Sequence, residues 1–466
     1  MDAKVCHMEN VMSKTAGLVV FSVFQAFHWV ILAQEPEATI FPKPAPTRVA
    51  VVDFQARTIA TQETQEALGV FNQALQDDLR FAALFTIPSK SFYPLRPLRQ
   101  PQDLNFDEWK GPNLDVDFVV FGNLQADSTA VVVEAYAYDV KTRQQVLGKR
   151  YRVAEAGLVR RVAHEFADQV VYELSAGATR GVATTRIAFV SERGDSKELW
   201  VMDYDGGNAR QVTFNGGINK FPEWAHDGRT IVFTTKPSNE NRWRLGLAEV
   251  DGVSRLLNLP VDYAASPAVS RDGRIAFSAR TATGRDIDIF VSDLQGRGLR
   301  NITNSRGIDT SPTWSPTGRQ IAFISDRTGS PQVWVMDADG SNVRRLITEG
   351  GHCDSPDWSP DGRFILYSWQ APEQWKHDVF LVEVATGRIH QLTRGTGSYE
   401  SPHWSPDGRH VAFQSTRTGS KQIFIMNVDG QNLRQVTAYG ANESPAWMPY
   451  QVQPETEAAT NPNASR

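Results

Sequence analysis

From residue 186 onward the apolar residues fall in short runs set off by Asp, Gly, Asn and Pro, and the whole arrangement recurs. One period runs from Ser311 to Thr348. Within it, Ser311–Trp314, Ile321–Ser325, Gln332–Met336 and Arg344–Thr348 predict four strands. Pro316–Arg319 predicts the first turn, and Asp337–Asn342 carries the Asp-Gly signal of a tight hairpin. The turn phrase returns at Pro222–Arg229, Pro267–Arg274, Pro356–Arg363 and Pro402–Arg409, and in shortened form at Pro445–Pro449. Its leading prolines stand 45, 45, 44, 46 and 43 residues apart. Self-similarity at this period predicts a stacked or radial repeat, and four antiparallel strands per repeat make a propeller blade. A β-solenoid fits less well, because its coils are shorter and lack three hairpin turns each.

The ends of the repeat region predict how the ring closes. Arg186–Thr213 supplies strands two to four of a blade without a Pro-x-Trp strand before them, and Pro445–Met448 supplies a first strand with nothing after it. Together they complete one blade, which gives six blades closed by the C-terminal strand and leaves no open edge. Runs such as Ile321–Ile324 and Ile423–Met426 are apolar at every position, as expected of strands covered on both faces. Strand parity puts the Asp-Gly-Arg turns and Asp-Gly-x-Asn hairpins on one face of the disc. The loops after each second strand, and those before each Pro-x-Trp, lie on the other, here called the upper face.

The chain before the repeats reads differently. Arg48–Phe54 predicts a strand, and the stripe Leu68, Phe71, Leu75, Leu79, Ala82 an amphipathic helix. Phe85–Pro88 reads as extended and Ser89–Pro112 as a proline-studded loop. Asp117–Gly122, Thr129–Val140 and Gln144–Val153 read as strands. A second helix over Gly157–Leu174 buries Leu158, Val162, Phe166 and Val170. The fold class is therefore an α+β N-terminal domain, with helices on one face of a small sheet, followed by an all-β six-bladed propeller. The expected limits are residues 48–183 and 184–450. Ahead of them, 1–33 reads as a signal peptide, with a retained membrane anchor as the alternative, and 34–47 as a Pro-rich leader. Residues 451–466 read as a disordered tail.

Composition narrows the function. The chain has 466 residues and a formal net charge of −5, which argues against a nucleic-acid or anionic-membrane partner. Its two cysteines, Cys6 and Cys353, form no disulfide framework and no cysteine metal site. No Gly-x-Ser-x-Gly elbow, His-Glu-x-x-His pair or phosphate-binding glycine loop is present. His164-Glu165 lacks a second histidine and reads as a capping or packing pair. No catalytic residue, metal or cofactor is expected. The recurring Trp224, Trp314, Trp358 and Trp404 read as packing residues, since Val269 fills the equivalent place and cannot stack a ligand.

An export signal, a small α/β domain and blades built on Pro-x-Trp-Ser-Pro-Asp-Gly resemble the TolB family. The resemblance rests on Arg186–Val190, Leu199–Asn208, the five full turn phrases, and the N-terminal segments Val49–Phe54, Phe71–Arg80 and Ala163–Val170. It implies a non-enzymatic periplasmic adaptor, monomeric within a complex. Such an adaptor binds the peptidoglycan-associated lipoprotein Pal and, through its N-terminus, the inner-membrane protein TolA. In this sequence the N-terminal contact segment reduces to Ala38, Thr39, Ile40 and Phe41, because the prolines that follow cannot donate ladder hydrogen bonds. Family docking on the upper face maps the lipoprotein site to Tyr263, Ala265, Ser266, Asp309, Thr310, Ser311, Asp354, Ser355, Tyr399, Glu400, Glu443 and Ser444. Physically, Tyr263 and Tyr399 offer apolar area with a hydroxyl handle, and Asp354, Glu400 and Glu443 an acidic rim that steers a basic partner. The readings weighed against this are a secreted propeller that binds a small ligand in its channel and, less favoured, a relative of the propeller hydrolases.

Overall fold

The computed structural model describes residues 47–451 except 112–113 and 127–128. The expected signal peptide, the Ala38–Phe41 segment and the tail beyond Gln451 lie outside the described residues.

The N-terminal elements are β1 (Thr47–Val51), β2 (Gln55–Ala56), α1 (Gln62–Phe81), β3 (Phe85–Thr86), β4 (Phe118–Ala126), β5 (Val131–Asp139), β6 (Gln145–Val153) and α2 (Val159–Leu174). The sheet runs β3-β1-β4-β5-β6, with β1 parallel to both its neighbours and β4, β5 and β6 an antiparallel meander. Thr61 starts α1 by accepting the Thr64 N–H on its hydroxyl, satisfying one of the unpaired donors of the first turn. Both helices lie on one face. Phe71, Leu75 and Leu79 of α1 and Val162, Phe166 and Val170 of α2 are buried with Val133 and Ala135 of β5. Leu158, expected inside, is exposed. The helix begins at Val159, two residues later than expected, and Val159 takes the buried place. The opposite face of the sheet is also covered: Leu98 and Trp109 of the proline-studded loop, with Leu114 beyond it, pack on Val119 and Phe121.

The repeat region begins with β7 (Arg186–Glu192), β8 (Lys197–Asp203), β9 (Arg210–Gln211), β10 (Ile218–Trp224), β11 (Thr230–Lys236), β12 (Arg244–Glu249) and β13 (Ser254–Leu256). After it come four separate four-stranded antiparallel sheets, starting at Tyr263, Asp309, His352 and Tyr399. The expectation of six separate blades is met in these four. The other eight strands form one sheet, ordered β13-β12-β11-β10-β8-β7-closing strand, with β9 on β8. The joint is a single parallel pair, Ile218↔Lys197. The closing strand, Ala441–Trp447, pairs with β7 and joins the two ends of the repeat region by hydrogen bonds.

Each first strand carries the same irregularity. The register slips by one residue across Lys220/Glu223, Ala265/Ala268, Thr310/Thr313, Asp354/Asp357, Glu400/His403 and Glu443/Ala446. The residue before each leading proline has positive φ: 49° at Phe221, 50° at Ser266, Ser311, Ser355 and Ser401, and 53° at Ser444. A non-glycine residue in that region costs on the order of 1–2 kcal/mol, so something must hold it there. The neighbouring repeat does. Thr234, Ser278, Ser368 and Gln414 each accept the bulge N–H, at 2.9, 3.2, 3.1 and 2.7 Å from Ser266, Ser311, Ser401 and Ser444. The matching place before Ser355 is Ile324, which has no oxygen to offer, and the Asp354 carboxylate takes the Ser355 N–H instead at 2.7 Å.

The recurring tryptophans are buried, Trp447 included. Trp224 and Trp314 donate their indole N–H groups to Ala446 O and Ala268 O of the preceding repeats, so they fasten one repeat to the next.

Candidate functional site

The bulges turn six short segments inward around a central opening with about 600 Å³ of empty space. Each segment contributes the residue before the proline, the proline, and in most cases the residue after it. Ser266, Ser311, Ser355 and Ser444 are thus brought together from the expected set. Glu223, an acid the sequence already places near the mouth, also lines the opening, and sequence reasoning missed the matching residues after the later prolines, Thr313, Asp357 and His403. The signal was present in the repeat alignment. Regular strand alternation puts neighbouring residues on opposite faces, whereas one extra residue on the strand lets both sides of the proline face the channel.

His403 lies between two carboxylates. Its Nε2 is 3.4 Å from Glu223 Oε2 and its Nδ1 is 3.6 Å from Asp357 Oδ2. Burial pushes its pKa down, but Asp357 and Glu223 outweigh burial and raise it to about 9. Burial likewise lifts both carboxyls above their ordinary range. The channel's paired acids are therefore answered by an imidazolium of the same chain. These side chains also tie the repeats together: Trp358 N–H donates to Thr313 and Trp404 N–H to Asp357, at 3.4 and 2.7 Å.

The rest of the expected docking set is distributed differently. Tyr399 is 2 % exposed, its hydroxyl turned back to Arg394 O and Thr396 O, so it offers a partner no contact area. Asp309 is fully buried and paired with Arg327 at 2.8 Å. Ala265 is buried, Thr310 hydrogen-bonds Ser278, and Tyr263 is half-buried. The acidic rim is not free. Lys421 lies 3.8 Å from Glu400 and 3.5 Å from Glu443, and Lys197 lies 2.8 Å from Glu443 and 3.1 Å from Glu192. Asp354 spends one oxygen on its own bulge. Position along the repeat could not reveal these partners, because lysines of other strands supply them.

Cys353 belongs to a first strand and not to a surface loop. It is fully buried, 3.7 Å from Gln332 Oε1, and burial pushes its thiol up to about 12.

A second polar cluster lies where the N-terminal helices meet the propeller. Asp78 of α1 receives the Tyr204 hydroxyl at 2.6 Å and faces His164 Nδ1 of α2 at 2.7 Å. Arg160 pairs with Asp205, and His164 Nε2 lies 3.9 Å from that carboxylate. Among the described residues, Asp78, His164 and Asp205 are the three side chains that approach closely enough to share a metal. The Arg160 guanidinium already answers Asp205 there, and Tyr204 and His164 answer Asp78. Nearby, His410 stacks on Phe81 at 4.1 Å and reaches Phe81 O at 2.7 Å. His164-Glu165 thus separates into two roles: His164 joins this interface, and Glu165 pairs with Arg161 at 3.0 Å.

Comparison with known proteins reproduces this division. The family model described as the TolB amino-terminal domain matches residues 42–146, and that of the TolB beta propeller domain matches 172–376 and 351–453. The chain belongs to the TolB family. A TolB homolog of Chlorobium chlorochromatii is 30% identical over 67% of this chain and 69% of that protein. The Tol-Pal system protein TolB of Geobacter metallireducens is 35% identical over 34% of this chain, a match that spans about a third (36%) of the relative's length. Among solved structures, TolB from Acinetobacter baumannii superposes with a TM-score of 0.72 at 24% identity, covering 87% of this chain and 98% of that one. Membership of the TolB family makes this a non-enzymatic protein. No described helix is long and apolar enough to cross a membrane.

Proposed function

We propose that this TolB-family chain acts in the periplasm as the adaptor of a Tol-Pal system. In this reading it binds the peptidoglycan-associated lipoprotein Pal through the upper propeller face and TolA through Ala38–Phe41, as a monomer within the complex. It thereby supports outer-membrane integrity and constriction at cell division. Relatives named for the Tol-Pal system support the assignment. The observation that carries it is the asymmetry of the disc. Every exposed aromatic side chain among the described propeller residues (Phe214, Phe221, Trp375, Tyr439) lies in an upper-face loop or bulge, whereas the lower-face hairpins expose the smaller Val253, Val343 and Leu433. Large rigid side chains left in solvent on one face are what a protein partner covers.

The ring we infer has six blades, the eight-stranded sheet being two of them bridged at one residue pair, Ile218↔Lys197. The working domain limits are 48–183 and 184–450. Titrating the mature chain calorimetrically with the soluble domain of the lipoprotein from the same organism tests the adaptor reading, and absence of heat at micromolar protein would refute it. The reading as a small-ligand propeller has one observation in its favour, the polar opening around Glu223, Asp357 and His403. A Tm that rises with added small solutes while the lipoprotein has no effect would favour it.

A further inference from the structure

The sheet of the N-terminal domain ends in a long open edge. β6 stands last in its order, and among the described residues the backbone of its nine residues, Gln145–Val153, pairs with β5 alone. One face of the strand meets α2, where Tyr151 reaches Gln169 at 3.3 Å, while Gln145, Gly148, Lys149, Arg150 and Arg152 are exposed. The other edges are short or enclosed. β3, at the far side of the same sheet, has two residues, the outer strands of the propeller sheets have two or three, and their inner strands turn to the channel. A bare edge of nine residues points alternate N–H and C=O groups outward and is a template for another strand. The charge along this edge has one sign. β6 carries Lys149, Arg150 and Arg152 and no acid. Its register sets Arg150 opposite Glu134 and Arg152 opposite Val132, on the face away from the helices, and Lys149 opposite Ala135 on the helix side. Glu134 is shared, lying 3.2 Å from Arg57 and 3.8 Å from Arg150, and it also accepts from Asn123 at 3.2 Å. Lys149 and Arg152 make no ion pair among the described residues, and the nearest acid along the chain after the strand is Glu155, two residues past its end. Three cations thus face a single carboxylate that Arg57 holds more closely.

We infer that the outer edge of β6 is a docking site for an extended, acidic segment of another protein, which adds to the sheet as a further strand. Backbone pairing supplies affinity in such a contact, and the alternating side chains supply selection. A strand laid along β6 brings its own side chains level with Arg150 and Arg152 on one face and with Lys149 on the other. Opposite charges across neighbouring strands are favoured, so acids at those positions are the match. A second copy of this chain fits poorly. Pairing two β6 edges about a two-fold axis would gather six cations on two adjacent strands, and like charges there are destabilising. The same basic residues that keep copies of the chain apart leave the edge open to an acidic strand. The site belongs to the N-terminal domain and stands whether or not the propeller binds the lipoprotein.

The experiment uses the mature full-length chain and synthetic peptides as long as β6, nine residues. One alternates valine with glutamate, one alternates valine with lysine, and a third is the glutamate peptide with proline at its centre. Binding is followed by calorimetry at low salt and by hydrogen exchange, read by mass spectrometry over residues 145–153. The glutamate peptide is expected to bind and to slow exchange at about half of the β6 amides, those that point outward. The lysine peptide should not bind, and the proline peptide should bind at least about fivefold more weakly, because it cannot complete the ladder. Lys149→Glu together with Arg152→Glu should weaken the glutamate peptide by roughly tenfold and admit the lysine peptide. Both positions are exposed, so the urea midpoint of that variant should match that of the unaltered chain. Equal binding of the glutamate and proline peptides would reduce the site to surface charge and overturn the inference. So would slowed exchange elsewhere with β6 unchanged, or failure of the glutamate peptide to bind at millimolar concentration. Exchange at β6 that slows with protein concentration alone would give the edge to a second copy, which overturns it too.

Discussion

Tyr204→Phe removes one oxygen from the interface between the N-terminal helices and the propeller, and its cost can be set from the geometry. The Tyr204 hydroxyl donates to Asp78 Oδ1 at 2.6 Å, and both side chains are buried. A hydrogen bond to a buried carboxylate contributes about 1.5–3 kcal/mol, more than the ~1 kcal/mol of a neutral pair. The substitution also leaves Asp78 leaning on His164 alone, at 2.7 Å. Tyr450→Phe is the matched control. Its hydroxyl reaches Arg180 O and Gly181 O at 2.6 and 3.0 Å, joining chain end to linker through uncharged acceptors. Urea unfolding followed by tryptophan fluorescence should show Tyr204→Phe destabilised by about 2 kcal/mol and Tyr450→Phe by about 1 kcal/mol. Asp78→Asn should exceed both, near 3–5 kcal/mol, because it breaks a buried pair and strands His164. Proteolysis within residues 175–185 should rise in Tyr204→Phe as the helices lift from the propeller. A loss below about 0.5 kcal/mol in Tyr204→Phe, equal to that of Tyr450→Phe, would show that the interface does not depend on this carboxylate.

Three further outcomes are expected. The pKa of His403 is raised in the folded chain, so its contribution is fully present below its ordinary value and is lost as pH climbs toward about 9. The urea midpoint should fall across that window, by less than the roughly 3 kcal/mol such a shift represents, since the buried carboxyls of Glu223 and Asp357 offset part of it, and His403→Gln should flatten the dependence. The Cys353 thiol should resist thiol reagents in the native chain and react at once in denaturant; rapid native reaction would contradict its burial. Deleting 444–466 removes most of the closing strand with Trp447, whose indole N–H donates to Thr185 at 2.8 Å, and exposes the edge of β7, so aggregation or loss of cooperative unfolding is expected. Deleting 452–466 should leave the midpoint unchanged.

What the sequence determined by itself was whatever is local or periodic. The Pro-x-Trp phrase and its Asp-Gly turns specify strand, turn and hairpin because turn chemistry acts within four residues. Apolar runs such as Ile321–Ile324 announce strands covered on both faces because no polar side chain is left for water. Burial of the tryptophans followed from the same logic. Tertiary structure decided everything that depends on a neighbour. Whether Tyr399 faces a partner or folds back on Arg394 O, and whether Glu443 is a free acid or the centre of three lysines, is set by residues from another strand or another repeat. The bulge before each proline is the clearest case. Serine there is legible in the chain, but its positive φ is held by a hydroxyl or amide one repeat away, and that single extra residue turns Glu223, Asp357 and His403 into the channel. Pairing energies between groups far apart in sequence exist only once the ring has closed and brought them within hydrogen-bond distance.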